Sequence, residues 1–164
     1  MSRNRKSKKL PSRPSRLIAL ALEDLELSEN DPKMSIDMDD WFIPADIECY
    51  QPTCQVCLAG AVMAKSLNVS LDEHCDLEDF DDETENTLRA LDSFREGYIE
   101  RAFDYLNVDL DEDTHRATTM RSVLEEDDYG DFMLDFDVTD YERSPTKFKK
   151  EMWELALTLE FIGY

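Results

Sequence analysis

Apolar residues recur along this chain with two different periods. Leu17, Ile18, Ala21, Leu22 and Leu25 fall at helical spacing behind Ser15, a residue type suited to an N-cap. Asn30-Asp31-Pro32 supplies the stop. Met34, Ile36 and Met38 then alternate with Ser35, Asp37 and Asp39, which predicts a short strand. Trp41-Phe42-Ile43-Pro44 forms an apolar knot closed by proline. From Thr53, a second candidate N-cap, to about Asn68 the spacing predicts a nearly uncharged helix. Gly60 and Ala64 lie four apart on it, beside Cys57 and Ala61, so this face carries little side-chain bulk. Glycine inside a helix costs about 1 kcal/mol relative to alanine. A close neighbour is therefore expected there, and this segment should be the central buried helix.

The longest stripe follows. Leu88, Leu91, Phe94, Tyr98, Ala102, Tyr105 and Leu106 predict one helix from about Thr84 to Leu106, with Arg89, Arg95, Glu96 and Glu100 toward water. A further helix is expected over about Thr114–Glu125, with Ala117, Met120, Val123 and Leu124 inward. Phe132, Leu134, Phe136 and Val138 alternate with Met133, Asp135, Asp137 and Thr139, a strand that could pair with residues 34–38. Ser144-Pro145 opens a last helix running to about Phe161. Its stripe is Phe148, Met152, Leu155, Ala156 and Leu159, with Trp153 and Leu157 on the flank. That breadth implies docking on two sides, or one side kept for a partner. The expected fold is mainly α (α+β): about five helices around a central small-residue helix, with a small two-stranded β element.

Charge sharpens this picture. The 164 residues suit one domain with a substantial core, yet the chain carries a net charge of −21. Residues 1–16 hold seven basic residues and no acid, so the remainder has 11 basic against 39 acidic residues, a net of −28. Residues 1–14 read as a disordered basic arm, able to touch nucleic acid or to fold back on the body; residues 15–164 read as a single acidic globular domain. The body repels nucleic-acid phosphates and anionic membranes and attracts basic surfaces. No apolar run approaches the ~20 residues that span a bilayer. Leu17–Leu22 is too short, and too soon followed by acid, for a signal-peptide core. The expected location is the cytoplasm, where cysteines are free thiols or metal ligands.

Several constellations are chemically suggestive. Cys49, Cys54, Cys57 and Cys75, with His74 adjacent, could hold zinc, although only one C-x2-C pair is present; small core cysteines are the plainer account, and no cofactor is expected. Residues 72–83 place oxygens at alternate positions with Glu83 at the twelfth, but Leu77 occupies the sixth position, where a calcium loop needs glycine. There is no glycine-rich phosphate loop, no G-x-S-x-G and no HExxH. The acid itself is the remaining feature. Residues 72–85, 109–113 and 125–142 are acid-rich, and Asp72, Glu73, Asp76, Glu78, Asp79, Asp81, Asp82, Glu83, Asp127, Asp128 and Asp131 are the candidate contacts for a basic partner. Rows of carboxylates can stand in for DNA phosphates in a basic groove, although acidic runs are more often solvated faces.

Two resemblances bear on function. Gln51-Pro52-Thr53-Cys54-Gln55-Val56-Cys57-Leu58-Ala59 is similar to the active-site segment of papain-like cysteine peptidases, and departs from it at Gln55, Val56 and Leu58. The resemblance implies Cys57 as nucleophile and Gln51 as oxyanion donor. The family's histidine lies some 130 residues or more after its cysteine; only 107 residues follow Cys57, and His74 and His115 are the only histidines. The run Cys54–Ala64 resembles a segment of small tailed-bacteriophage proteins, which implies a phage origin and an accessory role in a host cytoplasm. The expectation is a non-enzymatic protein that binds a basic host protein, a nucleic-acid-binding one among the candidates. A zinc-stabilised domain and a Cys57-dependent hydrolase are the alternatives.

Overall fold

The structure, a computed structural model, describes residues 9–46, 48, 50–108 and 138–164. Helix α1 spans Pro14–Glu29. Proline fits the first turn of a helix because its missing N–H has no partner there in any case. The N-cap is therefore Arg13, two residues earlier than the expected Ser15. Ser15 is buried, and its hydroxyl donates to the carbonyl of Tyr164, tying the helix start to the chain's last residue. Leu17, Ile18, Ala21, Leu22 and Leu25 are all buried, as their spacing requires.

Strand β1, Met34–Ile36, runs parallel to β3, Cys54–Val56, with Met34 opposite Cys54. Strand β2, Phe42–Ile43, lies antiparallel on the other side of β3. The β element is thus three-stranded, in the order β1-β3-β2. The partner that the structure shows for β1 is β3; residues 132–137, its expected partner, lie outside the described residues, as do the expected helix 114–125 and Asp127, Asp128 and Asp131.

This sheet corrects the expected cysteine helix. Thr53 caps nothing; Cys54–Val56 is the central strand, and helix α2 spans only Leu58–Lys65 with Cys57 as its N-cap. Val56 and Cys54 are buried beside half-buried Gln55, a strand alternation short enough to be mistaken for a helix turn. From Leu58 onward the expectation holds. Every residue from Leu58 to Ala64 is buried, with α1, α3 and β3 packed around them. The close neighbour of Gly60 is a backbone group: a Cβ placed there would lie 1.8 Å from the carbonyl oxygen of Trp41.

The expected helix 84–106 is two helices. Helix α3 spans Asp82–Arg95 and α4 spans Ile99–Tyr105. Between them Gly97 adopts φ 78, the left-handed conformation that ends helices, and Tyr98 turns outward. Phe94 and Phe103 meet edge to face at 5.7 Å across this elbow. Helix α5, Pro145–Ile162, carries the expected buried stripe and lies antiparallel against α1. Among the described residues the fold is mainly α with a small sheet, as expected. No helix there is long and apolar enough to cross a membrane.

One buried acid departs from the general pattern. Asp24 is 5 % exposed on α1 and accepts a 2.6 Å hydrogen bond from the Ser66 hydroxyl. Burial raises its pKa above the ordinary carboxylate value of 3.8, against the opposing hydrogen bond from Ser66. A raised folded-state pKa means that the ionised form is penalised, so stability is lost as pH rises through that pKa. Asp24→Asn is expected to raise the melting temperature at pH 7. The gain should shrink as pH falls below the ordinary carboxylate value of 3.8, where the wild-type carboxyl becomes protonated in both states; thermal melts at pH 7 and pH 2.5 check this.

Candidate functional site

The acid-rich stretch after α2 folds as a ridge on a few apolar anchors. Asn68, at φ 55, turns the chain out of α2, and Val69 is buried just beyond it. Cys75, Leu77 and Thr84 are buried farther along, and Phe80 is half-buried. Between these anchors Asp72, Glu73, Asp76, Glu78, Asp79, Asp81, Asp82 and Glu83 are all exposed. Apolar and acidic positions thus divide cleanly between the core and the solvent, and the carboxylates project from a backbone that is pinned below.

Some of these acids also shape the ridge. A single 3-10 turn covers Leu77–Asp79, and the Asp76 backbone N–H donates to Asp79 Oδ2 at 2.9 Å. Asp81 is the N-cap of α3: it accepts from the Thr84 N–H at 3.0 Å and from the Thr84 hydroxyl at 3.1 Å. Asp82, Glu83 and Glu85 occupy the first turn of that helix, where the macrodipole favours negative charge. Ser70 donates to Asp72 at 2.8 Å, and exposed His74 lies 2.9 Å from Asp76.

At the α3 end of the ridge the chain brings its own cation. Lys9 lies 3.5 Å from Glu83, with both side chains largely in water, so the contact is weak in energy. Lys9, Leu10, Pro11 and Ser12 form one wall of a cleft of about 260 Å³, and Asp81, Glu83, Thr84 and Thr87 form the other. Leu10 packs partly against the core. The root of the basic arm therefore lies against the acidic body. The sequence offered an arm folding back on the acidic body as one of its readings, but not that Lys9 would meet Glu83, because residues 9 and 83 are far apart in the chain.

The cysteines occupy a different setting. Cys54, Cys57 and Cys75 are buried, while Cys49 lies outside the described residues. Burial pushes the Cys57 thiol up to about 11, against the hydrogen bond it accepts from the Gly60 N–H, and Cys54 likewise to about 11. A nucleophilic cysteine needs the opposite shift and an opening to substrate; Cys57 is 1 % exposed. Gln51 Nε2 donates to Gln55 at 3.3 Å. For zinc, thiolates would have to converge. The Cys54 and Cys75 thiols instead donate to the backbone carbonyls of Gln55 and Asp76, His74 is exposed, and no group of three or more metal-ligating side chains gathers among the described residues.

Compared with known proteins, the chain matches no family model, no curated protein and no solved structure.

Proposed function

We propose that this protein is a non-enzymatic binding module whose acidic ridge, residues 72–83, receives a basic surface of another protein. The observation that carries this reading is the seating of Lys9 on Glu83 beside the cleft: a cation already rests against the ridge, supplied by the chain itself. Eight exposed carboxylates on a pinned backbone make an extended anionic track, and such a track can replace DNA phosphates in a basic groove. The resemblance of Cys54–Ala64 to tailed-bacteriophage proteins makes a bacterial nucleic-acid-binding protein the partner to seek.

Salt decides the matter. Attraction between exposed charges is screened over about 8 Å at physiological ionic strength and over about 3 Å at 1 M. Immobilised protein is expected to capture basic proteins from a bacterial lysate at 50 mM salt and to release them by 1 M. The triple variant Glu78→Gln, Asp82→Asn, Glu83→Gln, which spares the capping residues Asp79 and Asp81, should bind the captured protein at least tenfold more weakly. Capture that survives 1 M salt, or a variant that binds as the wild type does, removes the proposal.

A further inference from the structure

Helix α5 is apolar on two opposite sides. Phe148, Met152, Leu155 and Leu159 are buried against the body, while Trp153, Leu157 and Phe161 are 39 %, 48 % and 70 % exposed. The spacing of the exposed three, i, i+4 and i+8, makes a continuous stripe on the solvent side of the helix. A stripe of that kind on a monomer's surface marks a contact.

The charges beside it say what kind. Helices α1, α3 and α4 each carry more acid than base. Helix α5 is balanced: Lys147, Lys149 and Lys150 near its start, Glu151, Glu154 and Glu160 toward its end. In a chain of net charge −21 this is the exposed helix that a second copy can approach without local repulsion. The order of the charges sets the direction. Side by side and parallel, two α5 helices would oppose lysine to lysine and glutamate to glutamate. Antiparallel, with Trp153 against Leu157 of the second copy, the same register sets Lys150 against Glu160 of that copy, twice over by symmetry. Both side chains are exposed, at 73 % and 45 %, and each would exchange or share a partner on its own chain, Glu154 at 3.7 Å for Lys150 and Arg16 at 2.6 Å for Glu160. A two-fold axis makes such an interface self-complementary.

We infer that the protein forms an antiparallel dimer through the outer face of α5, with Trp153, Leu157 and Phe161 as the apolar seam and Lys150–Glu160 pairs at its ends. One helix face is small beside the ~800 Å² per partner of a stable complex, so the dimer is a weak, reversible one. The ridge of residues 72–83 belongs to other elements, and the two proposals stand or fall separately.

Sedimentation equilibrium at 0.3 M salt, where repulsion between the acidic bodies is screened, tests it on the full chain. A monomer–dimer equilibrium is expected, with association weakened at least tenfold by Leu157→Glu. Lys150→Glu alone should also favour monomer, and adding Glu160→Lys should restore the dimer. Circular dichroism confirms that each variant keeps its helices. A wild-type protein that stays monomeric at 500 µM overturns the inference. So does a dimer indifferent to Leu157→Glu, which places the interface elsewhere. A monomer whose Trp153 fluorescence is that of a buried indole also overturns it, because the chain's own residues then cover the stripe.

Discussion

Gly60→Ala is expected to cost about 3 kcal/mol or more. The added Cβ would lie 1.8 Å from the Trp41 carbonyl oxygen and 3.0 Å from the Val56 Cβ. Contacts under 3.0 Å require something to move, and here the obstacle is backbone. That carbonyl is held in place: it accepts from the Cys57 N–H at 3.4 Å, and β2 begins at the next residue, Phe42, paired with Val56. Relief would have to separate β2 from the start of α2. Overpacking a close-fitted core ordinarily costs about 1–3 kcal/mol, more where backbone must shift. For a chain of this size each kcal/mol lowers the melting temperature by about 2–4 °C, so a fall of roughly 6–12 °C is expected in a thermal melt. A variant melting within 1 °C of wild type would mean that Trp41 does not cover α2.

The second large effect is at Glu29, where α1 ends. Its carboxylate accepts from the Tyr141 hydroxyl at 2.5 Å and from Lys149 Nζ at 2.7 Å. Tyr141 in turn packs edge to face on Phe148, which is fully buried. One carboxylate thus pins both the start of α5 and the residues leading into it onto α1. Removing one partner of a wholly buried charged pair costs about 3–5 kcal/mol. This pair is partly in water, at 29 % and 21 % side-chain exposure, so Glu29→Ala should cost about 2 kcal/mol, at a lower figure on that scale. Glu29→Gln keeps one oxygen to accept from Lys149 and can turn its amide to donate to the Tyr141 oxygen, without the charge; it should cost under about 1 kcal/mol, since charge-assisted bonds are roughly twice as strong. Urea unfolding at pH 7 separates the two variants. Equal losses would show that the charge carries the whole effect and that the neutral hydrogen bonds add nothing. Burial, reinforced by Glu29, raises the Tyr141 pKa above the ordinary 10.0. The folded state then holds its phenolic proton longer than the unfolded state, and stability is lost as pH rises past about 10.

Much of the fold was legible in the pattern of apolar residues. The stripes of α1, α5 and α3 are long, and each buried residue recurs often enough to reveal its period. The β3–α2 junction was not legible. Three residues of strand followed at once by a helix leave too few positions for either period to declare itself, and Thr53 imitates a cap. The break at Gly97 was available in principle. It was masked because the apolar stripe appears to continue through Tyr98, which the structure turns into solvent. As for the site, its acid was plain from composition, while its anchoring was not.

By itself the sequence determined the class of the protein: a strongly acidic, mainly α chain with a small-residue helix at its centre and a basic arm at its start. Those properties are local, set by which residues stand three or four apart and by a sum of charges. Only the tertiary structure decided that the small face of α2 meets a carbonyl, that the cysteines of β3 and α2 are buried, and that Lys9 rests on the acidic ridge. Each of these depends on contacts between residues distant in the chain, which no periodicity encodes. The segment at Cys57 shows the difference most plainly. Its residue order imitates a catalytic loop, but the neighbours it acquires on folding shut it away from water and leave the acid outside.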